Sequence, residues 1–157
     1  VVGQQISVKA ADAIWNRLDE ACNNSITKDN LLKLSIEDMR KTGLSNTKSN
    51  YIMNIVNANL SELDWEDMSD EEVSNELCKI KGIGPWTADM FLIFRLGRTN
   101  VLPLGDIGLV NAINLYYNNK EKLSKEELMK FKEKWSPWCS IATWYMWRSL
   151  DPVPVEY

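Results

Sequence analysis

The chain is expected to be all-α, with two helical lobes and a helix-hairpin-helix motif at the cleft between them. Three observations predict the all-helical class. Apolar residues recur at helical spacing along nearly the whole chain, and no segment alternates with period two between hairpin turns. Residues that start helices stand repeatedly at the head of these apolar runs. No repeat, low-complexity tract or long linker interrupts them. About nine modest helices joined by short loops follow from that pattern.

Taken in order, Ser7 precedes a run through Ala10, Ala13, Ile14 and Leu18, with Trp15 beside it. Thr27 and Ser35 are N-caps for two short helices, and Gly43 stops the second. Lys48 to Leu60 reads as a further helix, with Tyr51, Ile52, Ile55 and Val56 on one face. Ser69 with Glu72, and Ser124 with Glu127, have capping-box spacing. Pro85 and Pro137 fit the first helical position, where a missing N–H costs nothing. Pro152 and Pro154 stop the last helix at Asp151. The organisation is one helical body over residues 1–157, with a helix-hairpin-helix over 78–98.

Composition narrows the chemistry. The 157 residues suffice for one domain with a core, or two small lobes. No apolar run reaches the roughly eighteen residues of a membrane span, and no secretion signal opens the chain. The chain starts Val1-Val2, already inside an apolar pattern, so a preceding N-terminal segment is expected. Three scattered cysteines, Cys22, Cys78 and Cys139, argue for a reducing compartment rather than a disulfide framework. Three cysteines cannot supply a four-Cys iron–sulfur cluster, and with no His a zinc site is not expected. The net charge of −4 counts against a general nucleic-acid binder. The acid is concentrated, however. Between Ser61 and Leu77 lie eight carboxylates and no Lys or Arg, and outside that block the bases prevail. A DNA-facing surface can then be locally positive. The acidic block itself reads as a solvated loop and helix start. So does the Lys/Glu-rich stretch from Lys120 to Lys134, a salt-bridged face.

Two features carry chemistry. Gly82 and Gly84 enclose Ile83 in a tight turn, and a helix starts at once at Pro85. Two glycines permit positive φ and clear Cβ atoms from the path of an approaching group. Unpaired N–H groups at the helix start then offer an anion site. Such backbone donors position DNA by a phosphate without reading sequence. The plain alternative is a short helical hairpin whose glycines only allow close packing. Apolar Leu77 and Ile80 before the turn, and Thr87-Ala88 after it, favour the first reading. The second feature is Asp106, between Gly105 and Gly108, ahead of a helix through Val110, Ile113 and Leu115. Its carboxylate can cap that helix. It can also stabilise a positive charge developing on a bound sugar and orient a water for attack.

Lys79-Ile80-Lys81-Gly82-Ile83-Gly84-Pro85-Trp86-Thr87-Ala88 resembles the hairpin of the helix-hairpin-helix DNA glycosylase superfamily, in particular its 3-methyladenine DNA glycosylase II branch. Val2 to Ser7 with Lys9-Ala10-Ala11 is similar to an early helix of that branch. Gly43-Leu44-Ser45 with Lys48 and Tyr51 resembles its next signature, and Trp135 to Trp147 its C-terminal helix. The resemblance implies base excision repair on double-stranded DNA containing damaged bases. The enzyme would be a monomer, cytoplasmic in a bacterium or nuclear in a eukaryote. Asp106 matches the catalytic Asp. Gly82, Ile83, Gly84, Trp86 and Thr87 match the DNA-binding hairpin. Trp86 and Trp147 match aromatic pocket positions, with Trp138 and Tyr145 as nearby candidates; core packing is the alternative for each. Superfamily members that also nick the backbone carry a Lys two residues after the second hairpin Gly. Here that residue is Trp86, which implies a monofunctional hydrolase.

No His and no second acid in the matched motifs would protonate a leaving purine. The expected substrates are therefore N-alkylated purines such as 3-methyladenine, already cationic and held by aromatic rings. The residue that wedges into the DNA stack falls near Asn46, or is Leu44. Cys139 stands where the family usually has Arg. No cofactor is expected, apart from a structural Na or K ion on the backbone carbonyls of Ile80 and Ile83. The alternatives are a glycosylase for other purine lesions, or a non-catalytic helix-hairpin-helix DNA-binding module. A pure binder has no reason to keep a carboxylate facing phosphates.

Overall fold

The structure, a computed structural model, describes residues 1–58, 60 and 63–150. The stops expected at Pro152 and Pro154, and Ser61 and Glu62 of the acidic block, lie outside these residues. Among the described residues there is no strand. The helices are α1 (Val8–Ala21), α2 (Lys28–Leu32), α3 (Ile36–Lys41), α4 (Asn46–Asn57), α5 (Asp70–Cys78), α6 (Pro85–Met90), α7 (Ile107–Tyr117), α8 (Lys125–Trp135) and α9 (Cys139–Leu150). A π-helical segment, Phe91–Arg95, continues α6. The chain divides into two compact units: Val1–Asp64 with Glu76–Ile83, and Trp65–Asn75 with Gly84–Tyr157.

In the first unit, the hydroxyls of Ser7, Thr27, Ser35 and Ser45 each accept an N–H of the following first turn. These polar side chains satisfy donors that a helix start leaves unpaired. α1 ends where Asn23 and Asn24 turn to positive φ, a conformation Asn tolerates. α3 ends at Thr42, whose carbonyl accepts the Arg17 Nε–H at 2.7 Å. Gly43 follows with φ +104°. The helix expected from Lys48 to Leu60 starts two residues earlier, because Ser45 is its cap, and stops at Asn57. Ile52 and Val56 of its apolar face are buried with Leu18, Met39 and Leu44, whereas Tyr51 and Ile55 are half-buried. Lys48 reaches back to donate to the carbonyls of Val2 at 2.9 Å and Gln4 at 2.7 Å, tying the first residues to α4. After α5 the backbone is held in the same way. Asn54 donates to the Lys81 carbonyl at 2.9 Å, and Gln4 to that of Gly82 at 3.5 Å.

In the second unit, Leu109 and Ile113 of α7 bury against Leu128 and Phe131 of α8, and α7 packs on α9. Arg98 gathers the segment before α5. Its Nη2 donates to the carbonyls of Trp65 (3.2 Å), Glu66 (3.2 Å) and Met68 (2.8 Å), and its Nε lies 3.4 Å from Asp70. Ser69 and Glu72 form the expected reciprocal cap at the head of α5, as do Ser124 and Glu127 at α8. Pro137 is not at the first helical position. It lies in the turn that the Trp138 N–H closes onto the Trp135 carbonyl at 2.7 Å, and α9 begins at Cys139.

The salt-bridged face expected of α8 is absent among the described residues, where no Lys of that helix pairs with its Glu residues. Lys132 instead donates to the Asn100 carbonyl, and Lys134 sits 4.4 Å over the Tyr117 ring.

One glycine is indispensable to the first unit. Gly82 has φ +112°, and a Cβ there would fall 2.3 Å from Cγ of Tyr51. Gly82→Ala combines left-handed strain with a steric collision and is expected to cost about 2–3 kcal/mol. A urea unfolding midpoint lowered without change of slope is the measurement that checks it.

Candidate active site

Asp106 is the N-cap of α7, with extended backbone at φ −84° and ψ 117°. The loop that brings it there is anchored from α8 and α9. The buried Ser140 hydroxyl accepts the Val101 N–H at 3.0 Å and donates to the Arg98 carbonyl at 2.6 Å. The Ser140 N–H donates to the Thr99 carbonyl at 2.9 Å. The Asp106 N–H in turn closes a tight turn onto the Pro103 carbonyl at 2.9 Å.

Three N–H groups converge on the Asp106 carboxylate. The Leu109 amide donates to Oδ1 at 2.7 Å, which is the helix cap. Trp147 Nε1–H donates to Oδ1 at 2.8 Å, and Trp86 Nε1–H to Oδ2 at 2.8 Å. Trp147 comes from the last turns of α9, where Tyr116 of α7 also donates to the Ser149 carbonyl at 3.2 Å. Trp86 is the second residue of α6. Trp147 stacks on Phe94, ring centres 6.0 Å apart. Gly108 leaves room for this approach, since a Cβ there would lie 3.1 Å from Oδ1 and 3.6 Å from Trp147 Cδ1. Gly105 has no such role; its Cβ would meet only Trp86 Cβ, at 3.9 Å.

Trp138 and Tyr145 are placed elsewhere. Tyr145 precedes Trp147 by two positions, about 200° around the helix. It packs edge-on against Trp144 and is 62% exposed. Trp138 stands before the opposite end of α9, about 13 Å along the axis from Trp147. Sequence spacing brought these rings near in number, but the helix turns Tyr145 away and sets Trp138 at its far end. Ser140, Arg98 and Phe94 were not anticipated from sequence, because their partners are distant in the chain.

The hairpin glycines differ in their surroundings. Gly84, the N-cap of α6, has ordinary extended backbone (φ −105°, ψ 175°) and makes no side-chain cap. Beyond Gly84 and its two chain neighbours, no atom lies within 4 Å of where its Cβ would be. Nothing in the fold requires glycine there, and the bare surface is open to close approach by an external group. Pro85 occupies the first helical position, as its sequence predicts. The Ile80 carbonyl, a candidate cation ligand, already accepts the Ile83 N–H at 3.0 Å. One lone pair is left for an ion.

Leu44 is corrected as a wedge. It is 3% exposed in the core of the first unit, so it cannot project into DNA. Asn46 is exposed at the head of α4 and, with Thr47, Asn50, Tyr51, Asn54 and Lys81, lines a polar hollow of about 400 Å³. Cys139 is fully buried, its Sγ 3.5 Å from the Lys132 carbonyl, and burial pushes its thiol pKa up. It is an unreactive core residue. Burial also raises Asp89 of α6 to about 6, against the opposing pull of Lys132.

A carboxylate fixed at a helix start, preceded in the chain by a glycine hairpin on an all-helical scaffold, defines a class of DNA repair protein. The chain belongs to the HhH-GPD superfamily of base excision DNA repair proteins, whose pattern matches residues 1–137. It is 34% identical over 156 residues to DNA-3-methyladenine glycosylase 1 of Schizosaccharomyces pombe, covering 95% of this chain and 68% of that one. It is 30% identical over 165 residues to a DNA-3-methyladenine glycosylase of Bacillus subtilis, covering 96% of this chain and 54% of that protein. A second B. subtilis relative, 36% identical over 127 residues, is spanned over 44% of its length. The chain thus spans about half the length of these bacterial relatives.

Among solved structures, a DNA-3-methyladenine glycosidase of Bacillus halodurans superposes with TM-score 0.82 at 36% identity, over 94% of this chain and 70% of that one. The S. pombe 3-methyladenine DNA glycosylase in complex with abasic DNA gives TM-score 0.82 at 35% identity, over 94% and 75%.

Gly84→Val is expected to leave the unfolding midpoint unchanged, because the space around it is open. It should weaken binding to damaged and undamaged duplexes alike by about tenfold or more, the scale of one or two hydrogen bonds to a charged group. Fluorescence anisotropy across a salt series checks this, and the salt slope should be shallow if a phosphate is held mainly by backbone N–H groups.

Proposed function

We propose that this chain is the catalytic body of a monofunctional DNA glycosylase that hydrolyses the N-glycosidic bond of alkylated purines, 3-methyladenine among them. The observation that carries this reading is the Asp106 carboxylate, held by three N–H groups with acceptor capacity still open. Cleaving the bond between deoxyribose and base builds positive charge on the sugar. A fixed carboxylate stabilises that charge as it develops and accepts a proton from the attacking water. The base must leave the duplex stack to reach such a group, which costs a few kcal/mol. Backbone N–H groups at the head of α6, beside the open Gly84, would grip a phosphate while this happens. The relatives named for 3-methyladenine support the choice of substrate. The partner would be duplex DNA containing damaged bases, since one relative is seen with abasic DNA.

A non-catalytic DNA-binding role would leave the convergence on Asp106 without a purpose. The deciding experiment incubates the protein with methylated DNA and separates released bases by chromatography. Release of 3-methyladenine and 7-methylguanine is expected, with little release of neutral lesions such as 8-oxoguanine. No release would sink the enzymatic reading.

Asp106→Asn is the sharper test. Asn also caps helices well, so the fold and DNA affinity should persist. Loss of the charge should slow base release at least ~100-fold, by comparison with removal of one oxyanion-hole donor. Strand scission is a separate matter. Trp86 offers no amine for a Schiff base, so borohydride treatment during turnover should trap no protein–DNA adduct on denaturing gels.

A further inference from the structure

We infer that Trp86 and Trp147 act as positioning residues for Asp106 through their indole N–H groups. The inference rests on the glycosylase reading for its kinetic consequence and on geometry alone for the contacts themselves.

The two rings come from different helices, 20 and 41 positions from Asp106 in the chain. They bind different oxygens of one carboxylate, each at 2.8 Å. Tryptophan has a single donor, so committing it to Asp106 presents the ring edge, not its face, to the carboxylate. Trp147 has also used one face on Phe94, whose ring lies within 17° of parallel. That contact takes one face of Trp147 only, while both donors aim at one group.

The carboxylate has reason to need them. The terminal torsion of an Asp side chain is soft and roughly two-fold. The Leu109 cap alone anchors Oδ1 and leaves Oδ2 free to swing. Trp147 adds a second bond to Oδ1, and Trp86 fixes Oδ2. An ionised carboxylate offers about four acceptor sites. Three are filled, and the fourth is on Oδ2, where a water donating to it would be held in a set direction. Gly108 belongs to the same device, since a Cβ there would crowd both Oδ1 and the Trp147 ring.

The test compares Trp86→Phe and Trp147→Phe with Trp86→Ala and Trp147→Ala in single-turnover release from methylated duplex DNA. A positioning donor predicts that each Phe variant loses about 10- to 100-fold in the saturating rate, the scale of a hydrogen bond to a charged group. The DNA concentration for half-saturation should stay within about twofold, and Ala should cost little more than Phe. A stacking wall predicts the reverse, with Phe close to wild type and Ala impaired; that pattern would overturn the inference.

A readout independent of activity uses ¹⁵N-labelled protein. Of the 7 tryptophan indole signals, the two that disappear in the Phe variants should be those that move on Asp106→Ala. If neither moves, the contacts are not made in solution and the inference fails. A wild-type chain that released no base would remove the glycosylase reading, and with it the catalytic purpose, while the indole signals would still judge the contacts.

Discussion

The chemistry proposed for this chain depends on one carboxylate being both a helix cap and a site. Asp106 satisfies the first turn of α7 through the Leu109 N–H, and this local bond fixes where its backbone lies. The rest of the second unit determines how its side chain is turned. Ser140 and Lys132 hold the loop that delivers it, from α9 and α8. Packing of α7 on α9 sets the height of Trp147, and Tyr116 secures that end of α9. The Asp106 carboxylate is thus over-determined by contacts distant in the chain. That is what electrostatic preorganisation requires, because a group already aligned needs no reorganisation when charge develops.

The glycines show how one residue type serves opposite ends. Gly82 is dictated by the fold, since positive φ and the Tyr51 ring exclude any Cβ. Gly84, two residues on, meets no such constraint from its own protein. Gly108 lies between these cases, crowded by the very groups it lets meet. In sequence the hairpin pair looks like one motif. The structure separates a glycine that makes the turn from one that leaves its outer surface bare.

Much of the helical plan was legible because its causes are local. Ser7, Thr27, Ser35, Ser69 and Ser124 cap helices within three residues of themselves, and such spacing can be read directly. Asp106 was legible as a cap for the same reason. What failed depended on side-chain direction or long-range partners. Leu44 is apolar and near the expected wedge, but it points into the core with Met39 and Ile52. Tyr145 is close to Trp147 in number and on another face of the helix. Lys132 looked solvated among alternating charges, yet its stem carries its ammonium to a backbone carbonyl. Arg98 collects three carbonyls some thirty residues upstream, which no periodicity announces.

The donor set of the site also bears on the choice of base. Every group seen to hold Asp106 is a neutral N–H, and the chain has no His. Neutral donors fix a carboxylate without cancelling its charge, whereas a Lys or Arg in their place would oppose the positive sugar of the proposed reaction. The same restraint leaves no acid among these groups to protonate a departing purine. A normal purine would then leave as an anion, close to the Asp106 charge. An N-alkylated purine is already cationic and leaves neutral, so it asks for no proton. In the proposed reaction, a site that supplies negative charge to the sugar and no acid to the base would thereby favour lesions that carry their own positive charge, without having to read any feature of the duplex around them.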